Sequence, residues 1–423
     1  MSNWRETTLG KVANVFTGYP FKSELYSTGD QDVRLLRGDN ISQGAMDWSD
    51  ARKWPAAKLN DFEEYQLKED DIVLAMDRPW IGAGLKFSQI IKSDLPALLV
   101  QRTARLRGSN DLDIGYLKYV IGSPWFTSYI KRITTGSLVP HISLKQIRDF
   151  PVKLPPIEEQ KAAAAVLLAI DKKIELNNRI NAELEAMAKT LYDYWFVQFD
   201  FPDDSPQGQG KPYKSSGGKM VYNPTLKREI PEGWEDASLV DIATFTNGIA
   251  CQKYYPTGDE PTYKVIKIRE FSSGFDDSSE SVHRGVPEKV VVHDGDILFS
   301  WSATLEVKLW AGGTGALNQH IFKVTSENYP KTFYYFEVLK YLEYFKMVAE
   351  LRKTTMGHIT KDHLVTSRIC LPPKDLIKAM NAKLSPILSK IISNSQQNAE
   401  LEQLRDWLLP MLMNGQVTVG EAS

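Results

Sequence analysis

The chain repeats one five-residue word, NAELE, at residues 181–185 and again at 398–402. The same offset of 217 aligns VKLPPIEEQKA, residues 152–162, with ICLPPKDLIKA, residues 369–379, and no gap separates the two matches. Internal repetition over this length indicates a chain built from duplicated structural units. It excludes one large domain formed around a single unrepeated core.

Shorter matches extend the repeat toward the start of each copy. They pair Gly18 with Gly248, Asp71 with Asp296, and Gln101 with Gln319. Their order is kept while the offset falls, as insertions in surface loops produce. The sequence therefore predicts an α+β tandem repeat: two mixed α/β domains separated by an antiparallel pair of long helices that form a coiled coil, related by a pseudo-twofold axis. We expect Asp71 and Asp296 to form turns.

Each copy ends in a Leu-Pro-Pro step followed by a helical pattern. Residues 157–197 contain neither proline nor glycine, which predicts one long helix. The second copy contains Pro386 and Pro410, and Pro386 is expected to kink the helix or to mark a new helix start. Helices are also expected over 113–133 and 333–353, where the pattern is amphipathic.

Apolar and asparagine residues recur on these helices at heptad-like spacing. Four asparagines at equivalent positions predict a polar layer inside an antiparallel helix pair, since an asparagine at a seam fixes register. The alternative is that the asparagines lie on a solvated face. The residues expected to pair the helices or contact subunits are Ile170, Ile174, Asn177, Asn181, Leu184, Leu191, Ile387, Ile391, Asn394, Asn398, Leu401 and Leu408.

Composition bounds the class of protein. The 423 residues are 42% hydrophobic and 25% charged, as is usual for globular proteins, and the longest apolar run, 162–170, is too short to span a membrane. Two cysteines and no secretory pattern in MSNWRETTLG favour a cytoplasmic location. The net charge of −2 does not by itself indicate a nucleic-acid binder. If DNA is the partner, either the basic residues are gathered on one face or another subunit supplies positive charge.

Catalytic signatures are missing from the sequence. There is no GxxxxGK[ST] phosphate loop, no GxSxG elbow and no HExxH zinc motif. The Pro-Pro pairs follow leucine, so they do not match the Asn/Asp-Pro-Pro-aromatic signature of DNA amino-methyltransferases. His358 and His363 are expected to make structural contacts rather than a metal site. We therefore predict a non-catalytic chain with no metal.

The order of motifs resembles one family. Two unlike domains, each closed by TTGSLVPHIS (134–143) or TTMGHIT (354–360), a Leu-Pro-Pro step and a long helix, resemble the specificity subunit of type I restriction–modification systems. The connector GKPYKSSGGKMVYNPTLKREIPEGW (210–234) is also similar to that family's central region. One departure is Lys374-Asp375-Leu376, which stands where the first copy has Ile157-Glu158-Glu159-Gln160. It puts in doubt whether both helix starts make the same contact.

The resemblance implies a function and a set of partners. Two target-recognition domains each read one half of an asymmetric, bipartite site in double-stranded DNA. The helix pair sets the spacer and docks two methyltransferase subunits, to which restriction subunits add. S-adenosylmethionine is expected in the methyltransferase subunits, and no cofactor is expected in this chain.

The boundaries follow from the motifs. We expect target-recognition domain 1 over 1–156, long helix 1 over 157–198, a linker over 199–230, target-recognition domain 2 over 231–373, long helix 2 over 374–415 and a tail over 416–423. Because residues 200–224 are rich in Pro, Gly and Ser, the linker is expected to cross open surface.

Base reading requires side chains with paired donors and acceptors, placed on loops. In the first domain the expected DNA-binding residues are Arg37, Asn40, Arg78, Trp80, Gln101, Arg102, Thr135, Ser137 and His141. In the second domain they are Lys267, Arg269, Trp301, Gln319, His320, Thr354, Thr355, His358 and Lys361. For any one of these a structural role is an equal alternative.

Two other functions stay open at this point. A coiled-coil adaptor that presents two protein-binding modules without touching DNA agrees with the near-neutral charge. A self-contained methyltransferase disagrees with the missing signature, and binding of S-adenosylmethionine to the isolated chain would revive it.

Overall fold

The structure is a computed structural model that describes residues 4–81, 84–134, 140–206, 208–302, 304–351 and 359–419. The chain divides into two compact units. Unit 1 comprises Met1–Lys172 with Gln403–Ser423, and unit 2 comprises Lys173–Glu402. Because both long helices cross a unit boundary, each unit contains one globular domain and part of both helices.

The described part of unit 1 contains short strands, five α-helices and four 3-10 helices. Its strands are β1 (Arg5–Thr8), β2 (Asn14–Thr17), β3 (Val33–Leu36), β4 (Lys53–Trp54), β5 (Ile72–Ala75), β6 (Trp80–Ile81), β7 (Gly84–Leu85), β8 (Phe87–Gln89), β9 (Ala97–Leu99), β10 (Thr103–Arg107) and β11 (Pro151–Leu154). Its α-helices are α1 (Leu9–Val12), α2 (Ile114–Gly122), α3 (Pro124–Thr134), α4 (Leu144–Arg148) and α5 (Ile157–Phe196), which continues into unit 2. Short 3-10 helices lie at Ser23–Leu25, Gly38–Asn40, Ala56–Tyr65 and Lys92–Asp94.

Unit 2 repeats this series of elements. Its strands are β12 (Pro202–Asp203), β13 (Lys211–Pro212), β14 (Met220–Asn223), β15 (Arg228–Pro231), β16 (Glu235–Ser238), β17 (Thr244–Asn247), β18 (Thr262–Ile266), β19 (Ser281–His283), β20 (Val291–Val292), β21 (Ile297–Ser300), β22 (Glu306–Leu309), β23 (Gly315–Leu317), β24 (Ile321–Thr325) and β25 (Arg368–Leu371). Its α-helices are α6 (Leu239–Ile242), α7 (Ile268–Ser273), α8 (Lys331–Leu351), α9 (Lys361–Thr366) and α10 (Lys374–Asn414), which continues into unit 1. Its 3-10 helices are Cys251–Tyr254 and Glu288–Val290.

The two units share a sheet topology, except that the second sheet of unit 2 has one additional strand, β20. In unit 1 a four-stranded sheet has the order β2-β10-β5-β8, and a second sheet has the order β4-β3-β9, with β3 parallel to β9. In unit 2 the corresponding orders are β17-β24-β21-β22 and β19-β18-β23-β20, with β18 parallel to β23. An antiparallel pair, β1 with β11 or β16 with β25, joins the start of each domain to its Leu-Pro-Pro step. This equivalence confirms the α+β tandem repeat.

Burial explains why the central strands form. All four residues of β5 and all four of β21 are buried, as expected of strands with a packed layer on both faces. At their entrances Asp71 accepts a hydrogen bond from the Lys68 amide at 2.8 Å, and Asp296 accepts one from the His293 amide at 2.9 Å. Both aspartates therefore form turns, as predicted.

Gly18 and Gly248 are required by close backbone packing. A Cβ atom at Gly18 would lie 2.3 Å from the Val100 carbonyl carbon, and one at Gly248 would lie 2.2 Å from the Asn318 carbonyl oxygen. The residue after each glycine donates its amide to the neighbouring strand end, Tyr19 to Leu99 and Ile249 to Leu317. The paired glycines of the sequence thus mark one crossing that both units need.

The amphipathic helix differs between the units. Prediction placed a single helix over 113–133, and this is wrong at one point: α2 ends at Gly122 and α3 begins at Pro124. Pro124 has no amide hydrogen to continue the ladder, and Ser123 accepts a hydrogen bond from the Phe126 amide to cap the new helix. In unit 2 the described part of the predicted 333–353 segment, residues 333–351, lies in the uninterrupted helix α8.

Both long helices are continuous. Helix α5 has 40 residues and α10 has 41, so the expectation that Pro386 would start a new helix is wrong. Pro386 is exposed, while Leu384 and Leu388 on either side are buried. The proline costs one backbone hydrogen bond, and the packing of its neighbours holds the helix together.

Buried asparagines connect the helices inside unit 2. Asn177 donates to Asn398 Oδ1 at 2.8 Å, and Asn394 donates to Asn181 Oδ1 at 2.8 Å. Exposed fractions of these four side chains are 8% or less. Since the partner number falls as the first number rises, the pair is antiparallel, and the predicted polar layer is confirmed over the solvated-face alternative.

The apolar residues predicted to pair the helices are covered to different degrees. Ile170, Ile174 and Ile391 are buried; Leu184, Leu191, Ile387 and Leu408 are partly buried against the cores; and Leu401 is of intermediate exposure. In unit 1 the same two helices meet through the Arg405 guanidinium and the Asp171 carboxylate, 3.3 Å apart. The helix pair therefore belongs to the packed core of each unit.

The connector after α5 contains regular secondary structure. It contains the antiparallel pairs β12 with β13 and β14 with β15. Phe199 and Phe201 are buried, and both rings contact the indole of Trp234 at centroid distances of 5.4 and 5.3 Å. These aromatic contacts anchor the start of the connector to the core, while most of residues 200–224 are exposed or half-buried, as expected of a surface segment.

Candidate nucleic-acid interface

A groove of about 900 Å³ opens in unit 1 beside the ends of β3, β5 and β9. It brings together four of the predicted residues: Arg37, Arg78, Gln101 and Arg102. Arg52 and Lys86 add two further cations, whereas the lining carboxylates are those of Asp39 and Asp77. The groove is therefore basic although the whole chain is slightly acidic, and it suits a polyanion.

Asp77 organises one wall of this groove. Its Oδ1 lies 2.6 Å from His141 Nδ1 and 3.6 Å from Arg102 Nη1. His141 Nδ1 also lies 3.4 Å from Arg102 Nη1. His141 itself is not among the lining residues, so the structure gives it a position from which it orients Asp77 and Arg102.

Arg78 and Arg102 are carried by adjacent loops. The Met76 amide donates to the Arg102 carbonyl at 2.9 Å, and the Arg78 amide donates to the Pro140 carbonyl at 2.7 Å. Both arginines have left-handed backbones, with φ of 45° and 68°. Residues other than glycine rarely adopt this conformation, and it concentrates at functional sites.

Asn40 and Trp80 have structural roles. Asn40 is 5% exposed, its Oδ1 accepts from the Arg37 amide, and its Nδ2 donates to the Asp47 carbonyl. Trp80 lies on β6 outside the groove, with Lys131 Nζ 3.5 Å from its ring centroid. Asn40 therefore shapes the loop that carries Arg37, and Trp80 contacts helix α3 through Lys131.

The same loop crossing recurs in unit 2. The Trp301 amide donates to the His320 carbonyl, and the Ile359 amide donates to the Trp301 carbonyl. These bonds correspond to those of Met76 with Arg102 and Ile142 in unit 1. Gln319 and His320 consequently occupy the positions of Gln101 and Arg102, and both are exposed. The Trp301 indole donates to Asn247 Oδ1 at 3.1 Å.

Two of the three predicted cations of unit 2, Lys267 and Arg269, are held by carboxylates. Lys267 forms an ion pair with Glu280, and hydrogen bonding from Lys267 lowers the pKa of the Glu280 carboxyl. Arg269 contacts Glu270 and Asp276, and its hydrogen bond to Glu270 raises the pKa of its guanidinium. Lys267 and Arg269 are thus each partly neutralised by a carboxylate of unit 2.

A second groove of about 460 Å³ contains two of the predicted residues of unit 2, Trp301 and Lys361. Phe245 and Phe322 form part of an aromatic floor beneath them, and Asn247 is a polar side chain at the rim. This groove is apolar at its base, in contrast to the cationic groove of unit 1.

Five predicted residues lie outside the described part of the chain: Thr135, Ser137, Thr354, Thr355 and His358. The groove residues that prediction missed are chiefly Arg52, Lys86 and Asn247. Asn247 immediately precedes the repeated Gly248, and that position could have marked it. Arg52 and Lys86 had no comparable signal, since only folding brings them to the groove.

The described ranges contain neither a metal-binding cluster nor a membrane-spanning helix. No group of three or more His, Cys, Asp or Glu side chains there could hold a metal ion. Within the same residues no helix is both long and apolar enough to cross a bilayer.

Comparison with protein families gives a match over most of the chain. The family model described as the type I restriction modification DNA specificity domain matches residues 1–186 and 231–403. These two matches fall on the two copies of the repeat.

Curated relatives agree with this match. The HindI specificity subunit of Haemophilus influenzae is 22% identical over 473 positions, covering 99% of this chain and 100% of the relative. The EcoAI specificity subunit of Escherichia coli is 35% identical over 188 residues, which is 44% of this chain and 31% of that relative. The MjaIX specificity subunit of Methanocaldococcus jannaschii is 25% identical over 314 residues, 72% of this chain and 69% of the relative. The chain thus spans only about a third of the E. coli relative's length.

One solved structure has a similar fold. The S subunit of a type I restriction–modification system from M. genitalium superposes with a TM-score of 0.57 at 12% identity, covering 97% of this chain and 96% of that one. At this identity the likeness concerns the fold. The family match, which extends over both repeats, shows that this chain belongs to the type I restriction–modification DNA specificity domain family.

Proposed function

We propose that the chain is the non-catalytic, DNA-reading specificity subunit of a type I restriction–modification complex. Each globular domain reads one half of an asymmetric, bipartite site in double-stranded DNA. The observation that carries the proposal is the pair of equivalent loop crossings: one framework presents Gln101 and Arg102 in unit 1 but Gln319 and His320 in unit 2. A shared frame with different donors and acceptors is what two unlike half-sites require.

The long helices supply the proposed spacer. At 1.5 Å per residue, helices of 40 and 41 residues are each about 60 Å long. One turn of duplex DNA is about 34–36 Å. The antiparallel pairing, fixed by the buried asparagines, gives a stiff element of the size needed to hold two readers at a defined separation along DNA.

Partner docking is the second proposed role of the helices. Met187 on α5 and Leu404 on α10 occupy equivalent positions of the repeat and are 61% and 43% exposed. Trp407, one turn beyond Leu404, is 56% exposed. An exposed apolar site present once per repeat supports the binding of two methyltransferase subunits. Those subunits bind S-adenosylmethionine. Restriction subunits join the resulting complex, which acts in the cytoplasm.

A spacer test addresses the ruler directly. One heptad is inserted after Glu175 and another after Glu400, so that the added segments face each other in the antiparallel pair and keep the seam in phase. Each insertion adds about 10 Å, so the unspecified gap should lengthen by about three base pairs while both half-sites stay the same. Sequencing of methylated bases in genomic DNA measures the motif before and after the change.

The control is a seven-residue insertion after Gly258, at an exposed position with open space around it. That variant should methylate the wild-type motif. A motif with an unchanged gap in the double-insertion variant would contradict the ruler.

The adaptor alternative predicts a different response to salt. A complex that neutralises several phosphates loses affinity steeply as the salt concentration rises. The logarithm of its binding constant falls with the logarithm of the salt concentration, with a slope of about −0.9 for each phosphate contact. Filter binding of the assembled complex to its own site and to a scrambled duplex, at several salt concentrations, separates the two functions. Equal, weak retention of both duplexes would favour the adaptor.

A further inference from the structure

The groove of unit 1 carries an excess of arginine. Its lining contains four arginines and one lysine: Arg37, Arg52, Arg78, Arg102 and Lys86. Among the described residues, Arg52, Arg78 and Lys86 make no ion pair, so the two lining carboxylates do not neutralise the groove. A generic phosphate contact explains some of these cations, but two of the arginines have further features.

The loops that carry Arg78 and Arg102 are held by backbone hydrogen bonds before any ligand binds. Both arginines have the left-handed backbone described above, which residues other than glycine rarely adopt. Asp77 directly precedes Arg78 in the sequence, and its carboxylate contacts one edge of the Arg102 guanidinium at 3.6 Å. A buttressed guanidinium loses less conformational entropy on binding, which suits a contact that demands defined geometry.

The planar guanidinium of arginine, with its fork of parallel N–H donors, favours one base over the others. Guanine presents two acceptors, O6 and N7, in the major groove, and a guanidinium donates to both at once. Adenine presents a donor beside its N7, so it faces the same fork with a repulsive N–H. The equivalent position in unit 2 is His320, and Lys267 and Arg269 there are held by carboxylates.

We propose that Arg78 and Arg102 are guanine-reading residues and that the half-site read by unit 1 contains at least one G·C pair contacted at guanine O6 and N7. This inference rests on the proposed DNA-reading function. It adds the base class that unit 1 selects, and it assigns the selection to two side chains.

The test begins with the motif. Sequencing of methylated bases from cells carrying the wild-type chain defines both half-sites. The same measurement on the Arg78→Ala and Arg102→Ala variants should relax one or two positions within a single half-site, which is then assigned to unit 1. Both side chains are exposed, and melting of the purified variants verifies that they fold.

Base analogues then test the contact itself. Each guanine of that half-site is replaced in turn by 7-deazaguanine, which lacks N7, and competition binding is measured with the complex assembled on the full-length chain. Wild type should lose about 5- to 100-fold in affinity at one guanine or more. The loss at that guanine should vanish in Arg78→Ala or in Arg102→Ala, because the donor is already absent.

Two variants serve as controls. Lys58→Ala removes an exposed cation of unit 1 that is not part of the groove, so it should respond to the analogue as wild type does. Arg78→Lys keeps the charge but not the planar fork, and it should retain the salt slope while losing part of the discrimination.

The outcomes separate the inference from the function it rests on. A bipartite motif whose unit 1 half-site lacks guanine on both strands overturns the inference and leaves DNA reading intact. So does an analogue effect of equal size in wild type and both alanine variants. Absence of any bipartite motif, with equal affinity for site and scrambled DNA, instead overturns the proposed function.

Discussion

The two globular units keep the same framework and differ in what they place on it. Strand order, the parallel pair within the second sheet, and the close crossing at Gly18 or Gly248 recur in both. The exposed loop ends do not recur: unit 1 presents a cationic groove, and unit 2 presents paired cations and an aromatic floor. The comparison teaches that duplication preserved backbone packing while the side chains facing a ligand diverged.

The start of each long helix shows that divergence also reached the interior. Gln160 in unit 1 is 1% exposed and accepts from the Asp113 amide while donating to the carbonyls of Asp111 and Pro155. The repeat places Ile377, 3% exposed, at the same position in unit 2. The departure noted in the sequence is therefore real in three dimensions, since one start is tied by hydrogen bonds and the other by apolar packing.

The largest expected effect tests the shared framework. Gly18→Ala and Gly248→Ala each place a methyl group about 2.2–2.4 Å from backbone atoms that cannot rotate away. Each should destabilise the chain by about 3 kcal/mol, the upper end for overpacking. Chemical denaturation followed by circular dichroism measures both losses.

The matched control is Gly258→Ala, where an added methyl group meets open space. Its effect should be within about 0.5 kcal/mol. A tolerant Gly248→Ala beside a damaging Gly18→Ala would mean that the crossing is not equivalent in the two units.

Exchanging the residues found at the two helix starts tests whether these starts are equivalent. Gln160→Ile removes the side-chain partner of the Asp113 amide and of the Asp111 and Pro155 carbonyls, and it should cost about 2–3 kcal/mol. Ile377→Gln buries an amide in an apolar site and should cost about 1–3 kcal/mol. Thermal unfolding of each variant is the measurement. A neutral outcome for both would show that the two starts are interchangeable.

Much of this architecture could be predicted from the sequence, because the repeat constrains it twice. The asparagine layer followed from a buried-seam pattern that appeared in both copies, and the structure pairs Asn177 with Asn398. The break at Ser123 was missed because the apolar period continues across Pro124, and periodicity alone does not register a lost amide. The new helix start expected at Pro386 does not form, because the packing of the neighbouring leucines outweighs the local propensity of proline.

The candidate site could be predicted only in part. Gln101, Arg78 and Arg102 stood beside repeated words, and the structure places them in one groove. Arg52 belongs to a loop without a repeated neighbour, so its position depends on long-range folding. Asn40 has a sequence context like that of Arg37, and only its burial separates a loop-forming amide from an exposed side chain.

The smallest expected effect concerns helix α8, the element that is uninterrupted in unit 2 alone. Burial raises the pKa of Tyr334 to about 12 from the ordinary value of 10.0. The Tyr334 phenol therefore loses its proton at a lower pH in the unfolded chain than in the folded chain. Its contribution to the free energy of unfolding is complete below pH 10 and is lost as pH rises through about 12. The loss should reach about 1 kcal/mol at pH 11, and Tyr334→Phe should remove that share of the alkaline decline. Denaturant titrations at pH 9 and pH 11 measure it, with Tyr344→Phe, at a 47% exposed position of the same helix, as the control. An alkaline decline of equal size in wild type and Tyr334→Phe would show that the Tyr334 phenol does not contribute to it.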